Sequence, residues 1–193
     1  LVAIGSMDVN MVKNYFEDNF SDFKSDKPFS EIENPFKKNV AANENIITPD
    51  KKNAFTVGML SAKITETDND NAALQVAGTI FGGGFLNSRV ATRLRQQDGV
   101  SYGAGAQVSI DSDPDDKNSA LIIYAIYAPM NAEKVQIGFK EEIERFIEDG
   151  ITQKELDSAI NGWVQGQTVS RAKDNELSSL INNNLYFERD MAF

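Results

Sequence analysis

Arg95 and Tyr102 stand on either side of Asp98-Gly99. A guanidinium carries a permanent charge and a fixed fork of donors, and a phenol carries one donor on a rigid ring. Held around one tight turn, the two suit an oxygen on which negative charge develops. Both belong to the segment Phe81–Tyr102, FGGGFLNSRVATRLRQQDGVSY. Its three glycines are expected to stop a helix in a left-handed cap. Asn87 and Ser88 start a second helix carrying Arg89, Arg93 and Arg95, and a strand begins near Tyr102.

Other residues in this stretch carry less chemistry. Gly82-Gly83-Gly84 follows a helical pattern and is not succeeded by Gly-Lys-Ser/Thr, so it does not read as a phosphate loop. Arg89 and Arg93 lie four residues apart and read as a charged helix face or as structural ion pairs. Glu141, Glu142, Glu144 and Glu148 fall on the polar side of an amphipathic pattern, where solvation accounts for them.

The totals exclude whole classes of chemistry. The 193 residues contain no histidine and no cysteine. A Ser-His-Asp triad, a His-ligated zinc and a thiolate metal site cannot be built from them. The net charge is −10, from 29 acidic and 19 basic residues. A nucleic-acid binder carries a basic footprint, and this chain does not. As a field, the acidity serves solubility and mildly favours cationic substrates. No apolar run is long enough to span a membrane.

The remaining elements are legible from periodicity. Leu1–Ile4 is read as a short buried strand, with Asp8 capping a core-packing helix through Met11, Val12, Tyr15, Phe16 and Phe20. Lys24–Asp50, with Pro28, Pro35 and Pro49, is a polar crossover with one short strand expected around Val40–Ala42. Ala54–Ile64 alternates as a strand. Asp68, Asn69 and Asp70 are placed to cap a helix whose stripe is Ala73, Val76, Ala77, Ile80 and Phe81. Tyr102, Ala104, Ala106, Val108 and Ile110 share one strand face, while Gly103 and Gly105 leave the other open to close approach.

Asp111–Asn118 turns that strand into an antiparallel partner over Ala120–Ala128. Asn131 is expected to cap a helix through Val135, Phe139, Ile143, Phe146 and Ile147, ended by Gly150. Thr152-Gln-Lys-Glu155 is a capping box opening a long helix weakened midway by Gly162 and Gly166. A last helix covers Asn175–Tyr186. The fold class is α+β, a largely antiparallel sheet with helices on one face. Residues 1–193 read as one domain and a fragment of a longer chain. Residues 1–50 are a strand-helix and crossover from the preceding sub-domain boundary, and residues 51–193 are the main unit.

Leu86-Asn-Ser-Arg89, then Leu94-Arg95, then Gly99-Val100-Ser101-Tyr102, resembles the second-half signature of the pitrilysin/insulinase-type zinc metallopeptidases. The late Ile151–Leu156 stretch and the opening LVAIGSMDVNMVKNYFEDNF fit the same ordered set. The resemblance implies a two-part enzyme with a LuxS/MPP-like half-domain sandwich. One half binds zinc through H-x-x-E-H and a downstream Glu. The other lacks metal, closes over the peptide, and contacts the scissile carbonyl region with an Arg and a Tyr. Carried over, these are Arg95 and Tyr102. The implied cofactor is zinc in the parent enzyme, bound by the other half and not by this segment. The implied partners are a peptide substrate and a homologous zinc-binding half, in cis or in trans; a homo-oligomer is compatible. Related halves also serve as inactive interaction or assembly subunits, which is the alternative function.

Overall fold

The computed structural model describes residues 2–84 and 87–190. The expectations placed on Leu1, Leu86 and residues 191–193 lie outside them. The chain divides into two compact units, Leu1–Glu33 with Val164–Phe193, and Asn34–Trp163. Among the described residues no helix is long and apolar enough to cross a membrane.

The unit spanning Asn34–Trp163 holds an antiparallel sheet of three strands, β1 (Ala54–Ala62), β2 (Ser101–Ser109) and β3 (Ser119–Tyr127), in the order β1-β3-β2. β1 alternates half-buried and exposed residues from Ala54 to Met59, as a strand with one covered face must. Tyr127 and Ala125 of β3 oppose Ala54 and Thr56, and all four lie on the covered face. The Thr56 hydroxyl is 2.6 Å from that of Tyr127, which satisfies a phenol otherwise buried among apolar groups.

Helices α2 (Asn71–Gly78), α3 (Arg89–Ala91) and α4 (Ala132–Asp149) cover that face. Phe81, Val90, Leu94, Ala106, Ala125, Val135 and Phe139 make the core. On the opposite face Phe55, Val57 and Met59 are 61%, 55% and 58% exposed. The α+β class and the one-sided helical layer therefore stand as read from the sequence.

Several local expectations are corrected. Val2–Ile4 and Val40–Ala42 carry no strand, because neither run pairs with a ladder among the described residues. Asp70 occupies the cap position of α2 without a side-chain bond, while Asp68 instead accepts from Thr65 N at 2.8 Å. Within α2, Ala73 is exposed and Gly78 is buried, and Ile80, Phe81 and Gly82 are buried in the turn that follows it. Asn131 makes no capping bond either; its amide donates to Val100 O at 3.1 Å. Ile147, at 76% exposure, lies off the buried face of α4.

The three glycines do not form a left-handed cap. Gly82 and Gly83 continue α2 as a π-helical turn, Thr79–Gly83, closed by Gly84 N to Thr79 O at 2.8 Å, and none has positive φ. Glycine is required there for contact. A Cβ on Gly82 would sit 2.1 Å from Ala106 N, so the turn lies directly against β2. Gly99 does need its conformational freedom: its φ of +63° makes the turn into β2.

In the other unit, Asp8 caps α1 (Val9–Phe20) as expected, accepting from Asn10 N at 2.8 Å and Met11 N at 3.1 Å. The helix is not core-packed. Met11 and Tyr15 are 64% and 66% exposed, since amphipathic spacing buries a face only where a surface covers it. Helix α6 (Asp174–Tyr186) closes this unit, and its Tyr186 hydroxyl lies 3.0 Å from a Glu31 carboxylate oxygen.

Helix α5 (Gln153–Arg171) runs unbroken through Gly162 and Gly166, and a Cβ at either would meet nothing within 4 Å. No described neighbour requires glycine at either position. Gly162→Ala and Gly166→Ala are each expected to raise stability by roughly 0.5–1 kcal/mol, through helix propensity and a smaller unfolded-state entropy. Urea denaturation of the two variants checks this; a loss of stability in either contradicts it.

Candidate functional site

The helix carrying the arginines starts at Ser88, whose hydroxyl accepts from Ala91 N at 3.4 Å. After α3 it widens into a second π-helical turn, Thr92–Gln97, closed by Asp98 N to Arg93 O at 3.0 Å. Such widened turns recur at functional sites because the extra residue re-aims side chains. Nothing in the apolar spacing announces them. Leu94 is fully buried, fixing the turn against the core, and Arg95 is exposed beside it.

The three arginines have different surroundings. Arg89 is bidentate on Glu155, Nε to Oε1 at 2.7 Å and Nη2 to Oε2 at 2.9 Å. It also donates to Gly150 O at 2.7 Å and lies 5.0 Å over the Phe146 ring. Arg93 pairs with Glu141 and with Asp98. Both are thus structural ion pairs, one of the two readings their spacing allowed. Arg95 forms no hydrogen bond or ion pair with another described residue, so its charge is available.

Arg95 lines a cavity of about 440 Å³ between the two π-helical turns and strand β2. Gln75, Thr79, Gly103, Gln107 and Tyr124 share its walls. Tyr102 does not line it, although it immediately precedes Gly103. A bulge between Ser101 and Gly103 takes Tyr102 out of the regular ladder and leaves it 66% exposed. Of the residues expected to share its face, Ala106 is buried and Ala104 and Val108 are half-buried, whereas Tyr102 stays exposed. Gly105 performs the expected close approach: a Cβ there would stand 3.0 Å from Gly82 O.

The wall residues Gln75, Gln107 and Tyr124 were not singled out by sequence. One faint signal existed, since Gln75 and Thr79 are four apart in a helix and share a face. Tyr124 and Gln107 join them only through the β2–β3 register, in which Tyr124 opposes Gly105 and Gln107 opposes Ile122.

Glu142 departs from its expected solvated role. It is 3% exposed and holds Arg145 at 2.8 Å, because it falls on the same buried side of α4 as Val135 and Phe139. The capping box behaves as read: Glu155 accepts from Thr152 N at 2.8 Å, and Glu155 N donates to the Thr152 hydroxyl at 3.2 Å.

The Arg89 hydrogen bond, with help from Thr152, holds the Glu155 carboxyl down from its ordinary 4.5 to about 2. A depressed carboxylate stabilises the fold fully above its unfolded-state value and loses that contribution as protons bind. Stability from this pair should be complete above about pH 4.5 and decline as pH falls toward 2. Glu155→Gln should flatten that acid limb, and Arg89→Ala should cost about 2 kcal/mol, less than a fully buried pair. Denaturant melts at neutral and acid pH measure both; an acid limb unchanged in Glu155→Gln contradicts the assignment.

The residues of this chain do not fit zinc. The sequence has no imidazole or thiol, and among the described residues no three acidic side chains converge on a common point.

The family model described as the peptidase M16 inactive domain matches residues 1–162. No curated protein matches the chain. A peptidase M16 inactive domain from Pseudomonas fluorescens is similar at TM-score 0.60 and 20% identity, over 72% of this chain and 32% of that one. A protease from Helicobacter pylori is similar at TM-score 0.73 and 16% identity, over 96% of this chain and 44% of that one. The inactive peptidase domain of a protein described as a zinc protease from Bordetella parapertussis is similar at TM-score 0.58 and 14% identity, over 74% and 76%. The chain thus spans less than half the length of the first two.

Proposed function

The chain belongs to the peptidase M16 inactive-domain family, and from that premise we propose that it is the metal-free half of a two-part zinc endopeptidase. In this reading it closes over an extended peptide while a homologous half supplies the zinc. Arg95 and Tyr102 donate to the scissile carbonyl oxygen as charge builds on it. Preorganised donors act most strongly where charge develops and water is excluded.

The observation that carries the reading is the contrast among the arginines. Arg89 and Arg93 are committed to carboxylates, whereas Arg95 stands uncommitted on a cavity wall that strand β2, the strand carrying Tyr102, helps to form. An unpaired cation kept beside an open cavity is what a substrate contact requires.

Zinc analysis and a peptidase assay on the longer polypeptide test the reading. The full-length protein, or this chain with its zinc-binding partner, is expected to hold zinc and cleave peptides. The 193-residue chain alone is expected to do neither. Metal-dependent cleavage by this chain by itself would overturn the assignment. The alternative is an inactive assembly subunit, favoured by the exposed apolar sheet face at Phe55, Val57 and Met59. An H-x-x-E-H in the same polypeptide or a neighbouring reading frame separates the two, since only the peptidase needs it.

A further inference from the structure

The Arg95 cavity inverts the charge of the protein around it. The chain carries 29 acidic residues, yet among the described residues lining this cavity none is acidic and one is cationic. The rest of its polar lining is neutral: the Gln75 and Gln107 amides, the Tyr124 hydroxyl, and the Thr79 hydroxyl, which already donates to Gln75 O at 3.0 Å. A volume of about 440 Å³ exceeds what one guanidinium contact needs and accommodates a side chain with its flanking backbone.

We propose that this cavity is a carboxylate subsite, which places an acidic group of the peptide against Arg95 with the two amides and the Tyr124 hydroxyl as neutral hydrogen-bonding neighbours. A guanidinium fork matches the two oxygens of a carboxylate. A single cation without a glycine-rich helix N-terminus suits a singly charged group better than a phosphate. The net acidity does not oppose this at working salt, because exposed charges beyond about 8 Å are screened and the nearby guanidinium dominates. The neutral amides serve a second purpose: a carboxylate in their place would pair with Arg95 and close the site to ligand. A guanidinium has five N–H donors, so Arg95 can hold the carboxylate through its fork and keep an N–H for the scissile carbonyl. The subsite names a substrate class for the peptidase half proposed above, and rests on that reading only in taking the ligand to be a peptide.

The carboxylate has two sources, an Asp or Glu side chain and a free chain terminus. Fluorescence polarisation of labelled Gly/Ser peptides against the 193-residue chain distinguishes them. One peptide has an internal Glu and an amidated C-terminus, a second an internal Gln and a free C-terminus, and a third an internal Gln and an amidated C-terminus. The Glu peptide, the free-terminus peptide or both should bind about tenfold more tightly than the doubly neutral one, with the gap shrinking as salt is raised. The tighter of the two identifies the source.

Arg95→Gln should abolish the preference. So should Gln107→Glu, an exposed position whose substitution leaves the core untouched. Circular dichroism confirms that both variants are folded. Equal affinity for all three peptides, no measurable binding of any, or a preference surviving both substitutions overturns the subsite. Loss of the preference alongside a large Arg95→Ala effect on turnover in the proposed two-part protease leaves the peptidase reading standing. A clear preference with wild-type turnover in that variant does the reverse.

Discussion

Arg95→Ala in the proposed two-part protease is expected to lower turnover by about 10²–10³, the usual cost of removing one preorganised oxyanion donor, with zinc content unchanged. Tyr102→Phe should fall in the same range. The size depends on closure. In the chain alone both side chains are exposed, and two unit charges about 4 Å apart interact by only ~1 kcal/mol in bulk water. At the effective dielectric of a protein surface the same pair reaches ~4 kcal/mol, which covers the expected loss. A drop near tenfold would mean that the donors work in an open, wet site; a drop of several hundredfold would mean that this half seals against its partner. Arg95→Lys separates charge from shape. It keeps the cation and loses the fork, so partial rescue indicates that charge dominates. Wild-type turnover in both Arg95→Ala and Tyr102→Phe refutes the assigned roles. Steady-state kinetics with metal analysis on each variant supplies the readout.

Gly82→Ala is expected to destabilise the chain by about 3 kcal/mol or more, the upper end of overpacking costs. The added carbon would lie 2.1 Å from Ala106 N, 2.3 Å from its Cβ and 2.7 Å from its Cα. Two of those atoms are strand backbone, which cannot rotate away. The helix must lift from the sheet, and the cavity that Gly82 helps to line must change with it. For a chain of this length the corresponding fall in Tm is about 6–12 °C. Gly78→Ala should cost less: its first clash is with Val108 Cγ2 at 2.2 Å, a side-chain atom that has other rotamers. Gly83→Ala, whose nearest neighbour is 3.4 Å away, should be close to neutral. Thermal melts therefore test an order, Gly82 above Gly78 above Gly83. Equal effects at all three would show that helix propensity decides, and not the approach to β2.

Some features were legible along the chain because their causes are local. The capping box at Thr152 and Glu155 closes within four residues, and Gly99 and Gly150 mark their turns through their own φ angles. The alternation of β1 shows a sheet with one covered face. The misread residues depend on what lies opposite them. Met11 and Tyr15 form an apolar stripe that nothing described covers. Glu142 sits on a polar pattern and is buried. Tyr102 drops out of the ladder at a bulge that no spacing announces, and is exposed.

The amino-acid sequence by itself determined the α+β class, the order of the elements, and the exclusion of zinc ligation by imidazole or thiolate, since these follow from periodicity and from which side chains exist. It also placed Arg95 and Tyr102 around one turn. Only the tertiary structure decided that Arg89 and Arg93 are committed while Arg95 is not, because their partners Glu155 and Glu141 come from distant helices. It alone assembled Gln75, Gln107 and Tyr124 beside Arg95, through strand register and a π-helical turn. Charge pairing and cavity shape are set by which surfaces meet, and a linear pattern carries no record of the meeting.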